Sequence, residues 1–340
     1  MTDRFTTKGF ADYAIEQKRR TNTFLDAINN LIDWKIIEKR LTKKYKKTAS
    51  ADGRPAYPAL PVFKLILLQR WYGLSDPGLE EAVNDRISFI RFSGFSLESP
   101  LPDYSTICRF RNTLLELNLY GPLFAEINHQ LEAKGILVKE SNGAILDAAI
   151  IESSRRPRKV IEVMPEDRKE EETSDLVIAY SDDPDATWIR KGKKAYYGYK
   201  AHVSVDAEEG FILGGHITPA HRADTTECEK LVVESHLPPA SFVLADKGYA
   251  SEKNRLHLLK EGHTDGIMYK AHRNRPLTLL QRLINRLIST VRYRVEQCIG
   301  TLKRGYGFFR MRYIGIKKGQ MEFYLNAMAF NLKKAALKVM

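Results

Sequence analysis

Between Leu283 and Gly307 the chain reads LINRLISTVRYRVEQCIGTLKRGYG, with apolar residues at Ile284, Leu287, Ile288, Val291, Val295, Ile299 and Leu302. Three-to-four spacing kept up for about five turns is one face of a long α-helix. Such a stripe has to lie on a core, so whatever precedes it must supply an apolar surface. At about 100° per residue, Arg292, Glu296 and Lys303 fall within roughly 40° of one another on the rim of the stripe. The helix therefore sets one carboxylate between two cations at the edge of that core. On the helix alone, the plainer reading is an Arg–Glu pair at i, i+4, worth a few tenths of a kcal/mol.

Upstream, the pattern is that of a mixed sheet. The run NGAILDAAII (142–151) is short, apolar and β-branched, with one acid, Asp147, in its middle. A buried strand does not carry an unpaired carboxylate cheaply, so Asp147 is either paired with a core Lys or Arg or is a metal ligand or general base. Residues 152 to 190 are mixed-charge and poor in apolar residues, and read as an exposed insertion with Trp188 near its end. KKAYYGYKAHVSVD then alternates with period two, Glu208 to Gly210 form a turn, and FILGGHITPA returns as the next strand. A helix is expected from about Thr225 to His236, capped by Asp224 or Thr225. In SFVLADKGYA, Asp246 stands where a strand ends, the place where α/β sheets build their sites. A helix (Ser251 to Glu261), a fifth strand (DGIMYKA) and a basic loop (HRNRP) lead into the long helix.

The first 135 residues read as helical throughout. Phe24 to Leu41 keep a helical spacing, and Lys43, Lys44, Lys46 and Lys47 follow as a solvated helix end or a phosphate contact. The loop SADGRPAYP precedes PALPVFKLILLQRWYG, a strongly apolar helix ended by Gly73, and then SDPGLEEAVNDR, with Ser75 as cap. LPDYSTICRFRNTLLE opens another helix, capped by Asp103 or Ser105 and carrying Arg109 and Arg111. This order suits either a helix-turn-helix-like DNA reader or a plain bundle with a basic face. GPLFAEINHQLEAKG closes the region at Gly135. The expected division is a helical domain over 1–135, an α/β domain over 136–330 with its insertion at 152–190, and a helix end over 331–340.

Charge and cysteine content narrow the class. The chain has 340 residues, a net charge of +12 and three scattered cysteines, Cys108, Cys228 and Cys298. The basic excess favours a polyanion, most simply nucleic acid. Without a CxxC, neither a disulfide framework nor a zinc cluster is indicated, and a reducing cytoplasm fits. The longest apolar run is too short to span a bilayer, and MTDRFTTKGF has no hydrophobic signal region, so no membrane role is expected.

The three acids now read together. Asp147 and Asp246 on strands and Glu296 on a helix of one α/β unit are what two-metal phosphoryl transfer needs. Mg²⁺ keeps several of its waters, so three carboxylates suffice for two ions. His202, His216 and His221 share no HxxxH or HxH pattern and read as core or surface histidines. His221 with Asp224 is read as a brace behind the site.

The sequence resembles the bacterial insertion-sequence transposases of the DDE type, most closely the insertion-sequence-five family, over nearly its whole length. The resemblance is carried by RPAYP, QRWYGLSD and LPDYSTICRFR in the first half. In the second half it is carried by LDAAIIE, KAHVSVD, ADKGY and RYRVEQCIGTLKRGYGF. It implies a ribonuclease-H-like mixed sheet flanked by helices, preceded by an all-α DNA-binding domain. It also implies Asp147, Asp246 and Glu296 as the metal triad, with two Mg²⁺ ions for which Mn²⁺ substitutes. The implied reaction is cleavage of double-stranded element ends and their joining to target DNA by a homodimer, beside the bacterial nucleoid. Arg292 and Lys303 would contact the end backbone, with Arg304 beside them and Arg109 and Arg111 in the helical domain. Tyr249 reads as either a core tyrosine or a ring packed on a sugar or base. Two positions depart from the family pattern. Ser289 stands where relatives often carry Tyr, which puts base stacking there in doubt, and Ala149 stands where they often carry Thr. Two other readings share the same residues: a nuclease of this fold that does not transfer strands, and a non-enzymatic repressor derived from a transposase.

Overall fold

The computed structural model describes residues 5–17, 23–45, 56–137, 143–156 and 183–340. Lys46, Lys47, the start of the SADGRPAYP loop and the middle of the charged insertion lie outside the described residues.

The first part is helical as expected, with more breaks. Its helices are α1 (Phe10–Gln17), α2 (Phe24–Leu31), α3 (Trp34–Lys44), α4 (Ala59–Tyr72), α5 (Asp76–Asp85), α6 (Ile87–Ser93), α7 (Tyr104–Glu116) and α8 (Tyr120–Ala133). The helix expected from Phe24 to Leu41 is two helices. Ile32 is extended, and the Asp33 side chain caps α3 by accepting from the Lys35 N–H. Helix α4 is mostly apolar and buried on all sides along nearly its whole length, so it is the axis around which the others pack. Ser75 and Asp103 cap α5 and α7 through Gly78 N–H and Thr106 N–H. The connection from Gly94 to Asp103 is longer than the three- to four-residue turn of a helix-turn-helix, so α7 is presented by a loop instead.

The sheet follows: β1 (Ala144–Glu152), β2 (Thr187–Lys191), β3 (Lys194–Asp206), β4 (Ile212–Pro219), β5 (Phe242–Ala245) and β6 (Thr264–Ile267). Its order is β2-β3-β1-β5-β6, with β4 also on β3. Strand β3 is long enough to hold two neighbours on one edge: Lys194–Gly198 pairs with β2, and Tyr199–Val205 with β4. Strands β1, β3 and β4 are antiparallel, while β5 and β6 run parallel to β1. This is the ribonuclease-H-like arrangement. Strand β2 lies within the segment expected to be an exposed insertion. Its residues are mostly exposed, and that is why no apolar alternation marked it.

Alternation assigns the two sheet faces. Asp147, Val203 and Gly215 are register partners and share one face, while Ala148, His202 and His216 share the other. Helix α9 (Asp224–Ser235) covers the histidine face, and α10 (Glu252–Lys260) packs beside α9 and β6. Helix α11 (Leu279–Gly305) lies across the aspartate face on β1, β3 and β5. Helix α12 (Ile316–Val339) packs on β4 and also on α2, α4 and α8. It comes so close to the sheet that a Cβ on Gly215 would stand 2.4 Å from Cζ of Phe323. One apolar core runs without a break from the α4 bundle to the sheet.

Candidate active site

Strand register brings two acids together. Ala144, Ile145 and Leu146 of β1 pair in parallel with Val243, Leu244 and Ala245 of β5. Asp147 and Asp246 are the next residue on each strand. Equivalent positions on neighbouring parallel strands project to the same side, so both carboxylates rise from the aspartate face at the end of the parallel ladder. Each is fixed by a short local bond: Asp147 Oδ1 accepts from Ala148 N–H (2.8 Å), and Asp246 Oδ1 from Lys247 N–H (2.7 Å). The second bond caps a single 3₁₀ turn, Lys247–Tyr249.

Helix α11 supplies the rest. Its buried Ile288, Val295, Cys298 and Leu302 seat it on the sheet. Its N-terminal half is tied to the exit of β6, where Asn285 accepts from Tyr269 N–H (2.8 Å) and donates to the Tyr269 carbonyl (3.0 Å). Seated in this way, α11 points Arg292 between the two acids. Nη2 lies 3.4 Å from Asp147 Oδ2, and Nη1 lies 3.5 Å from Asp246 Oδ1. Glu296, one turn further on, is exposed and within electrostatic reach of Asp147. Burial pushes the Asp147 carboxyl above its ordinary range. Ala148 N–H and Arg292 pull it down, and the negative charges of Asp246 and Glu296 push it up again. Burial and then the like charge of Lys191 press the Lys303 ammonium toward its neutral form, while Asp147 opposes them.

The other expected site residues separate. Arg304 is exposed, with Nε 3.4 Å from the Gly300 carbonyl of its own helix. Arg109 is exposed on α7 and rests on Ser105 and Thr106. Arg111 is not a surface cation. It is 1% exposed and donates through both terminal nitrogens to Asp76 at 2.7 and 2.6 Å, which rules out a phosphate contact in this fold. Tyr249 is likewise a core residue, 1% exposed, and presents no ring to a ligand. His221 bonds Thr187 and does not pair with Asp224, whose Oδ1 instead accepts from Lys200 Nζ (2.8 Å). That Lys200–Asp224 pair fixes the start of α9 against the sheet.

His202 and His216 lie on the opposite face, buried and stacked. His216 is bonded to Glu234 (2.7 Å) and Glu227 (3.1 Å) of α9. Burial pushes His202 down to about 2, so it is neutral and bonds Thr218. Both histidines are part of the packing of α9 on the sheet. Sequence reasoning missed Lys191, on the hairpin beside the site. Its signal was the run RKGKK (190–194), four cations around one glycine.

The donors of the acid cluster are carboxylate oxygens, the hard ligands Mg²⁺ takes. The two aspartates already face one shared cationic group, the Arg292 guanidinium. Among the described residues, no three His, Cys, Asp or Glu side chains converge closely enough to enclose an ion. The donor chemistry suits Mg²⁺, but as placed the three side chains do not close on one point: Arg292 faces both aspartates, and Glu296 stands back from them.

Comparison with known proteins gives the family. Residues 13–113 match the model of a transposase domain (DUF772), and residues 142–332 match that of the transposase DDE domain. The transposase for insertion sequence element IS1106 of Neisseria meningitidis serogroup B is 42% identical over 231 residues, which cover 67% of this chain and 77% of that protein. Among solved structures, a piggyBac transposase synaptic complex with hairpin DNA aligns over 95% of this chain and 76% of its own, with a TM-score of 0.46 at 11% identity. A pre-cleavage Mos1 transpososome aligns over 94% and 97%, with a TM-score of 0.21 at 7% identity. On the DDE-domain match over more than half its length and the 42% relative, the chain belongs to the DDE transposases of bacterial insertion sequences.

Proposed function

We propose that Asp147, Asp246 and Glu296 are the catalytic carboxylates of this transposase and that they hold two Mg²⁺ ions. The observation that carries this reading is the register of β1 and β5, which puts Asp147 and Asp246 side by side facing one guanidinium. When bound, the ions would lower the pKa of an attacking water or 3′-hydroxyl and stabilise the leaving oxygen. The chain's own contribution is placement. Local N–H bonds fix the two aspartates, and the buried stripe of α11 fixes the approach of Glu296. Arg292 offsets the charge of the aspartates, and in this reading its guanidinium passes to a DNA phosphate when the ions take over the carboxylates. Lys303, half-buried and held near Asp147, adds a point charge on the same side, and exposed Arg304 extends it.

The substrate in this reading is double-stranded DNA: the ends of an insertion sequence and a target into which they are joined. Two ends must be held at once, so the working form with DNA is a homodimer. Among the described residues, no helix is long and apolar enough to cross a membrane, and work beside the nucleoid in the cytoplasm suits the substrate.

The test is Asp147→Ala and Asp246→Ala in the full chain, with labelled element ends, a target plasmid and Mg²⁺. Both variants are expected to bind ends and to make neither nicks nor joined products. Cleavage persisting in both would overturn the assignment. Nicked ends without joined products from the unaltered protein would make it a nuclease at this site.

A further inference from the structure

The β2–β3 hairpin is anchored at one end and exposed at the other. Its base is tightly held. Tyr197 Oη donates to the Asp183 carbonyl (2.8 Å), the buried Asp183 carboxylate takes Ser153 and Tyr199, and Thr187 Oγ1 accepts from His221 N–H (3.0 Å). At its tip, Arg190 Nε donates to the Gly192 carbonyl within the turn (3.3 Å). Arg190, Lys191, Lys193 and Lys194 are all exposed, and none has a salt bridge among the described residues. Gly192 (φ +62°) turns the chain between them.

An exposed tryptophan belongs to the same arm. Trp188 is 52% exposed and packs one side on Tyr197, with centroids 5.2 Å apart. Trp188 pairs with Tyr197 and Asp147 pairs with Val203, so all four lie on the aspartate face. Tyr197 and Val203 are about 20 Å apart along β3 at ~3.3 Å per residue. That is the length of about six base pairs of duplex. Lys191 at the tip lies within electrostatic reach of Lys303 on α11. Exposed cations at the tip, without a salt bridge among the described residues, and an uncovered indole on the same arm suit a rod-like polyanion.

We propose that the β2–β3 hairpin is an arm that grips duplex DNA beside the carboxylate site, with Arg190, Lys191, Lys193 and Lys194 on its phosphates and Trp188 covered by it. This rests on the reading that DNA lies across Asp147, Asp246 and Glu296. A plainer role for cations on an edge strand is to block edge-to-edge aggregation, which needs no DNA.

The experiment separates the two roles. The full chain, without Mg²⁺, is titrated with a duplex of about thirty base pairs of arbitrary sequence, because backbone binding is sequence-independent. Trp34 and Trp71 are buried, so iodide quenching of tryptophan fluorescence reports Trp188. DNA is expected to protect that fluorescence, and Trp188→Phe to abolish the iodide-sensitive signal. The combined Lys191→Gln, Lys193→Gln and Lys194→Gln variant is expected to lower the slope of log affinity against log salt by about two to three, at ~0.9 per phosphate contact. These residues are exposed, so the thermal melt of each variant should match that of the unaltered protein. Bound DNA with an unchanged salt slope and an unprotected Trp188 would overturn the arm and leave the active-site reading intact. No duplex binding by the unaltered protein would overturn both.

Discussion

Two arginines on α7 show how position alone decides a residue's role. Arg109 and Arg111 stand about 200° apart on the helix, so if one faces solvent the other faces the core. Arg111 falls in step with buried Ile107, Phe110 and Leu114, the i, i+3, i+4, i+7 stripe. The stripe is plain in the sequence, but its partner Asp76 on α5 is not, because the pairing is tertiary. Arg111→Ala should leave the partly buried Asp76 without its ion-pair partner and cost about 1–3 kcal/mol in a urea melt. Arg109→Ala should leave the melt within about 0.5 kcal/mol, and should lower the salt slope of DNA binding by about one. If Arg111→Ala kept full stability, its assignment to the core would be wrong. Lys64 poses the opposite problem, a cation at the centre of α4. Its Nζ sits 4.3 Å from the Trp34 ring centroid and donates to Asn29 Oδ1 at 2.9 Å. Burial pushes the ammonium down to about 7, with Glu38 opposing. The unfolded chain holds this proton up to about 10.4, so between those values unfolding takes up a proton and stability rises with pH, by roughly 1.4 kcal/mol per pH unit from this group. Below pH 7 both states are charged, and the burial cost is felt in full. Melts at pH 6 and pH 9 should show that gain in the unaltered protein, and it should be absent from the difference in Lys64→Met.

Among the elements, α11 was the most legible and β2 the least. The stripe from Ile288 through Val295 to Leu302 is buried as its spacing predicts, and the helix carries Arg292 to the two acids at the end of the parallel ladder. Its first turns differ, with Leu283 and Leu287 exposed. Spacing identifies a helix face, but it cannot say how far the surface beneath extends, and the sheet ends before α11 does. Leu302→Ala should therefore cost about 2–5 kcal/mol, while Leu287→Ala, at an exposed position, should fall within about 0.5 kcal/mol. Comparable losses at both positions would mean that the helix seat is misplaced. Strand β2 escaped notice because an edge strand with exposed side chains needs no apolar alternation. It is specified by pairing with β3, a long-range property. The register of Asp147 with Asp246 has the same origin. Each acid could be picked out in its own strand, but their alignment depends on which strands are neighbours.

At the scale of the molecule, the helical part and the sheet share their last element. Helix α12 is buried along most of its length, between α2, α4 and α8 on one side and β4 on the other. Trp71 Nε1 donates to the Ala329 carbonyl (2.7 Å), and Arg70 pairs with Glu322 in the interior (3.3 Å). Asn331 bonds both parts at once. Its Oδ1 accepts from Ile212 N–H of β4 (2.9 Å), and its Nδ2 donates to Asn128 Oδ1 of α8 (2.8 Å). A sequence-based division at residue 135 separates the two grammars of the chain, but a helix with no single apolar face carries no mark of how many partners it serves. Buried groups shared in this way couple the stability of both parts, so unfolding one exposes the seat of the other. Calorimetry of the full chain should give one transition, coincident with the loss of near-ultraviolet signal from Trp34 and Trp71. Asn331→Ala, which strands a buried N–H and a buried amide, should lower that single midpoint by the equivalent of about 1–3 kcal/mol without splitting it. Two separated transitions in either protein would show that the parts fold independently. The single transition would mean that the exposed face of α7 keeps a fixed distance to the acids, so DNA held there is measured against the cleavage site by the fold itself.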